Sequence, residues 1–197
     1  MRLPITLAAA LVACTATASA QEPLTLGVKA GLSFSTVNID EDDEDVGNLS
    51  TRTGLVVGLF GSLPVTPRIA VQPEVLYIQK GTKFDDEDAT LNIDYLEIPV
   101  LAEVRLTEGT ARVSLMLGPS FGFRTRARLD LDEEESEDFA DLIKAADVGL
   151  VTGVSVTSGQ LVIDGRYTWG LTNIAEEVLE ITARNRALSI TVGWRFR

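Results

Sequence analysis

Ala187-Leu188-Ser189-Ile190-Thr191-Val192-Gly193-Trp194-Arg195-Phe196 alternates without a break. Leu188, Ile190, Val192, Trp194 and Phe196 fall on one face; Ala187, Ser189, Thr191, Gly193 and Arg195 fall on the other. Successive side chains of an extended chain point to opposite sides, so this pattern is a strand with one dry face and one polar face. The same period recurs upstream. Leu24, Leu26, Val28, Ala30, Leu32 and Phe34 oppose Thr25, Gly27, Lys29, Gly31, Ser33 and Ser35. Val113, Leu115, Leu117, Pro119, Phe121 and Phe123 oppose Arg112, Ser114, Met116, Gly118, Ser120, Gly122 and Arg124.

Eight such segments are predicted: Leu24–Val37, Thr53–Leu63, Arg68–Lys80, Ile93–Leu106, Ala111–Arg128, Val148–Thr157, Leu161–Gly170 and Arg184–Phe196. The second alternates least well, because Val56 and Phe60 fall on its polar face. Pro64–Pro67, Thr107–Thr110 and Thr157–Gln160 read as tight turns. The other connectors are acidic: Asp40–Asp45, Asp85–Asp88, Asp130–Asp141 and Glu176–Glu180 hold 21 of the 29 carboxylates. Within the third, Ser136 to Phe139, with Leu142 and Ile143 following, predicts one amphipathic turn of helix.

Alternate connectors of an up-and-down barrel emerge at the same end, and short turns opposite long loops is the asymmetry of outer-membrane barrels. The fold class is therefore all-β, an eight-stranded antiparallel up-and-down transmembrane barrel in the bacterial outer membrane. A soluble lipocalin-like barrel shares the alternation but turns its apolar face inward. Two features point the apolar face outward. The polar face sets Lys29, Arg105, Arg112, Arg124, Arg166 and Arg195 against Glu74, Glu97, Glu103, Asp147 and Asp164, which suits a packed and paired interior. Phe34, Tyr77, Phe121, Phe123, Tyr167 and Trp169 lie near the acidic ends of their strands, with Trp194 and Phe196 at the opposite ends, as in two headgroup-level girdles. Eight strands leave a lumen that side chains just fill, so no conducting pore is expected.

Residues 1–20 read as a secretory signal: Arg2, an apolar Leu3–Ala13 and the cleavage signal Ala18-Ser19-Ala20. That leaves 21–197 as the barrel domain. Leu11-Val12-Ala13-Cys14 also resembles a lipoprotein processing box, which would make Cys14 a lipidated first residue. Cys14 is the only cysteine, so no disulfide within the mature chain is expected.

Gly27-Val-Lys-Ala-Gly-Leu-Ser-Phe34, Gln72-Pro-Glu-Val-Leu-Tyr-Ile-Gln-Lys-Gly81, Tyr95-Leu-Glu-Ile-Pro-Val100, Leu117-Gly-Pro119 and Arg166-Tyr-Thr-Trp-Gly-Leu-Thr-Asn173 occur in the order found in a known family. In these segments the chain resembles the outer-membrane β-barrel domain family that includes PorT-like proteins. The resemblance implies an eight-stranded barrel of the OmpA/OmpX type and no defined activity. The family's usual ending is an aromatic residue; here Arg197 follows Phe196.

Function is constrained mainly by exclusion. A net charge of −12 disfavours nucleic acid, whose phosphates would be repelled. The chain has no histidine, so a serine has no imidazole to activate it. Glu74 and Glu97 could form an acid–base pair, but partnership with Arg112, Arg124 or Arg166 is the simpler reading. Asp40-Glu-Asp-Asp-Glu-Asp45 lacks the glycine and glutamate of an EF-hand, which leaves weak divalent-cation association at the acidic loops. Gly27, Gly31, Gly54, Gly58 and Gly61 precede no helix and make room for large neighbours rather than cradling phosphate. No catalytic residue, metal site or cofactor is expected. The expectation is a monomeric structural or interaction protein that meets outer-membrane lipid and lipopolysaccharide, with a ligand-binding barrel mouth as the alternative.

Overall fold

Strand pairing runs once around and returns to its start. The computed structural model describes residues 24–40, 49–84, 89–131, 135–138, 142–176 and 182–196. The wall is β1 (Thr25–Asp40), β2 (Leu49–Pro64), β3 (Ile69–Phe84), β4 (Ala89–Arg105), β5 (Ala111–Leu131), β7 (Ala146–Ser158), β8 (Leu161–Gly170) and β9 (Thr182–Phe196). A short β6 (Glu135–Asp138) lies outside this ring on the upper part of β5. Every pairing is antiparallel, β4 pairs with β5, and β1 closes on β9 from Leu26↔Phe196 to Asp40↔Thr182. Closure leaves the wall without an edge, the condition for placing strand backbone in hydrocarbon.

The dry face is outside. Leu59 and Leu117 are 60% and 55% exposed, whereas Lys29, Glu74, Glu97, Asp164 and Arg166 are each 5% exposed or less. A water-soluble protein cannot bear this inversion; a bilayer requires it. The girdles follow from register. Tyr77, Leu96 and Phe123 stand side by side across β3, β4 and β5, and Phe34, Leu188 and Tyr167 across β1, β9 and β8. Trp194 lies opposite Val28 and Leu161 at the far end. Val56 and Phe60, the residues that spoiled the second strand's alternation, do face the lumen, at 2% and 3% exposure.

All eight predicted strands are present, and the three predicted turns join β2–β3, β4–β5 and β7–β8. The strands run further into the acidic connectors than alternation indicated: β1 reaches Asp40, β2 begins at Leu49, β3 ends at Phe84 and β4 begins at Ala89. Toward the acidic ends the outer face leaves the lipid and carries exposed polar side chains such as Lys83 and Arg128, so alternation lapses while hydrogen-bonded pairing continues. Of the predicted helical turn, Ser136 lies instead in a strand, whereas Leu142 lies in a 3₁₀ turn. Ser136 pairs with Asp130 in β6, on an edge of β5 that β7 leaves uncovered beyond Phe123. Phe139 and most of the acidic connectors lie outside the described residues.

Candidate functional site

The lumen is the site to which the polar strand faces point, and the protein fills it with its own side chains. At mid-height, Lys29 of β1 donates to Glu74 of β3 at 3.0 Å and to Asp164 of β8 at 2.8 Å. Arg166 donates through Nη1 to Glu74 Oε2 at 2.7 Å and meets Asp164 Oδ1 at 2.9 Å. Gln72 adds a donor to Glu74 at 2.6 Å. Two cations and two carboxylates thus compensate each other across three strands, which is what keeps fully desolvated charges tolerable. The Lys29 ammonium also sits 4.8 Å from the centre of the Phe60 ring. Gly27 makes that ring possible, because a Cβ there would come within 2.4 Å of Phe60 Cζ.

A second polar tier lies nearer the acidic end. Lys80 meets Glu97 at 3.3 Å and lies 5.2 Å from the Tyr95 ring centre. Ser120 donates to the same Glu97. Asn185 donates to Tyr95 Oη at 3.1 Å and to Asp147 Oδ2 at 2.8 Å, and Thr172 donates to Asp147 Oδ1 at 2.8 Å. Above this tier the lumen turns apolar. Ile143 and Ile174, from the segments following β6 and β8, pack with Val37, Ile93, Ala127 and Ala183. These two segments lock together through an Ile143↔Ala175 bridge and Lys144 N–H to Ile174 O at 2.7 Å. Asn173 Oδ1 accepts from the N–H groups of Ala175 and Ala183 at 3.0 and 2.9 Å.

The mouth suggested for a ligand is therefore occupied by Ile143 and Ile174. Between Glu97, Val151, Arg166, Thr168, Ser189 and Thr191 there is a void of about 10 Å³, room for at most one water. Glu74 and Glu97 do not face each other as an acid–base pair; each is bound to its own cation. Among the described residues, no group of three or more carboxylate, cysteine or histidine side chains is placed to hold a metal ion.

Of the eleven interior charges expected, Lys29, Glu74, Glu97, Glu103, Asp147, Asp164 and Arg166 are buried in the lumen. Glu97 takes Lys80 rather than Arg112, Arg124 or Arg166, and Glu103 accepts from Ser114 at 2.7 Å. Arg105 and Arg195 lie at the short-turn end, where they donate to turn carbonyls of Pro67 and Gly159 at 3.2 and 3.0 Å. Lys80 lies six residues from Glu74 on the same strand face, but alternation ends the predicted strand at Lys80 and so assigns it no interior role. The apolar stopper was missed because Ile143 and Ile174 belong to no strand.

A closed eight-stranded wall with lipid-facing leucines and a self-filled polar lumen defines a small outer-membrane barrel. The family described as "outer membrane protein beta-barrel domain" matches residues 19–176, and the chain belongs to it. It is a protein of the bacterial outer membrane. Among solved structures it is similar to Ail, the attachment invasion locus protein of Yersinia pestis, determined with the heparin analogue sucrose octasulfate. That likeness has 14% identity and a TM-score of 0.51, covering 89% of this chain and 100% of Ail. The neisserial surface protein A is similar at 15% identity and a TM-score of 0.50, covering 89% of this chain and 100% of that one. At these identities the likeness is one of fold. Among curated protein sequences no relative matches.

Proposed function

We infer that this barrel is a sealed, non-catalytic element of the outer membrane whose working surface is its acidic-loop rim. The filled lumen carries this reading. Paired charges occupy its middle, Phe60 its floor and the Ile143–Ile174 stopper its top, so among the described residues neither a solute path nor a ligand chamber remains. Task-bearing contacts are then left to the rim, where acidic loops meet lipopolysaccharide, divalent cations or a partner protein. The absence of histidine and the capture of Glu74 and Glu97 by cations support a structural rather than enzymatic role. On this reading residues 1–20 are the secretory signal, residues 21–197 form the monomeric barrel, and its sequence segments resemble those of the PorT-like members of the family. Reconstitution into planar bilayers tests it: the protein inserts and gives no steady conductance. A stable open channel would contradict the reading.

A further inference from the structure

One residue inserted into β5 redirects two arginines. Below it, Gly122 and Arg124 face the lumen while Phe121 and Phe123 face outward. Tyr95 pairs with Arg124 but Asp94 pairs with Arg126, so Thr125 is a bulge, its hydroxyl donating to Asp94 O at 3.0 Å. A bulge flips the side-chain parity of everything beyond it. Ala127 consequently turns inward, at 2% exposure, and Arg126 and Arg128 turn outward and are exposed. Two strands away, Lys83 is exposed on the same outer face, in line with Thr90 and Asp130. Arg52 crosses Gly81 beside them and donates to Lys80 O at 2.5 Å. On β9, Arg186 is exposed level with Trp169.

Lys83, Arg126 and Arg128 stand on β3 and β5 above the Tyr77–Leu96–Phe123 row, and Arg186 stands on β9 beside Trp169, toward the headgroup level of the acidic end. The carboxylates beside them already have partners: Asp94 accepts from Tyr77 Oη at 2.7 Å, Asp130 accepts from Asn92 at 2.6 Å, and both lie within the field of the Arg52 guanidinium. Asp138 lies opposite Arg128 in register. Among the described residues, none of Lys83, Arg126, Arg128 and Arg186 forms a salt bridge. At the other end the outward strand positions include Leu26, Leu63, Ile69, Val104, Ser158 and Phe196, none of them charged. Among the described residues, the cations exposed on the outward face of the strands lie at the acidic end, while Arg68 at the other end sits in a turn and pairs with Glu108; on so acidic a chain this bias fits an anionic lipid confined to one leaflet.

We propose that Arg126, Arg128 and Lys83 form an outer-wall binding sector for the phosphates of the lipid A headgroup of lipopolysaccharide. The guanidinium fork matches a phosphate in a way a lone ammonium does not, so the two arginines form the centre and Lys83 the flank. The sector rests on the reading that the rim works among lipopolysaccharide, and it adds a direct contact that needs no bridging ion.

The test uses the refolded full-length barrel in detergent, titrated in EDTA with phosphorylated lipid A and with the same lipid A dephosphorylated. R126Q/R128Q is expected to bind the phosphorylated lipid about tenfold more weakly than wild type, and K83Q to show a smaller loss. R68Q, in the turn at the opposite end, is expected to match wild type. Dephosphorylated lipid A should bind all four proteins equally weakly. Heat-modifiable migration confirms that each variant is folded. Unchanged affinity in R126Q/R128Q, or binding that vanishes in EDTA, overturns the sector while leaving the rim reading in place. If wild type prefers neither lipid in EDTA and still prefers neither when Mg²⁺ is supplied, the reading that the rim works among lipopolysaccharide itself fails.

Discussion

Arg166 grips Glu74 across the lumen with both terminal nitrogens, at 2.7 and 3.2 Å, linking β8 to β3. The two strands are not neighbours in the wall, so this contact braces the barrel across its diameter. Removing Arg166 leaves the buried Glu74 and Asp164 to share one cation, Lys29, so one negative charge in the lumen loses its compensation.

Arg166→Ala should therefore cost about 3–5 kcal/mol and lower the urea midpoint of unfolding in lipid vesicles. Glu134→Ala, in an acidic connector, should change it by less than about 0.5 kcal/mol. Equal and small effects would show that the cluster does not brace the barrel.

Much of this was legible in the sequence because the bilayer imposes a strict period of two. Where that constraint acts, the residues announce their faces: Leu115 and Leu117 outward, Ser114 and Met116 inward. Where it lapses, the reading failed for identifiable reasons. Above the girdle the outer face need not be apolar, so strand ends such as Asp40 and Phe84 carry no alternation signal. The Thr125 bulge costs one unit of register, and nothing in Arg124-Thr-Arg126 marks it. Strict alternation would have sent Arg126 and Arg128 inward with Arg124. Partner choice within the lumen, Lys80 rather than Arg166 for Glu97, depends on the stagger between strands, which a single strand does not encode.

Lipid exposure predicts intolerance of charge at mid-strand. Val100 is 39% exposed on the outer face, and Ser114 is 1% exposed in the lumen beside Glu103. Val100→Arg should cost about 2–4 kcal/mol and reduce assembled barrel in the membrane fraction. Ser114→Arg places its charge toward Glu103 and should assemble better. The reverse order would mean that the wall faces the other way.

Phe60 occupies space that Gly27 vacates. Gly27→Ala should destabilise the barrel by about 1–3 kcal/mol, as overpacking does. Phe60→Leu combined with it should recover part of that loss, a coupling readable in a double-mutant cycle. Recovery will be incomplete, because the new Cβ also meets Trp194 O at 2.7 Å. Strict additivity would place the clash elsewhere.

The 21 carboxylates of the acidic connectors repel one another and should gather divalent cations loosely. Calorimetric titration should find weak Ca²⁺ binding, little preference over Mg²⁺, and loss of the heat at high salt. Tight, saturable binding selective for Ca²⁺ would require a dedicated site.

The chain has two tryptophans, and they mark opposite girdles: Trp169 by the acidic connectors and Trp194 by the short turns. Single-tryptophan variants W169F and W194F, folded into vesicles of lipids brominated at known acyl depths, therefore test the lipid-facing barrel directly. Both remaining indoles should be quenched most strongly by bromines near the headgroups and less by bromines near the bilayer centre. Quenching by aqueous acrylamide with no response to brominated lipid would contradict the account.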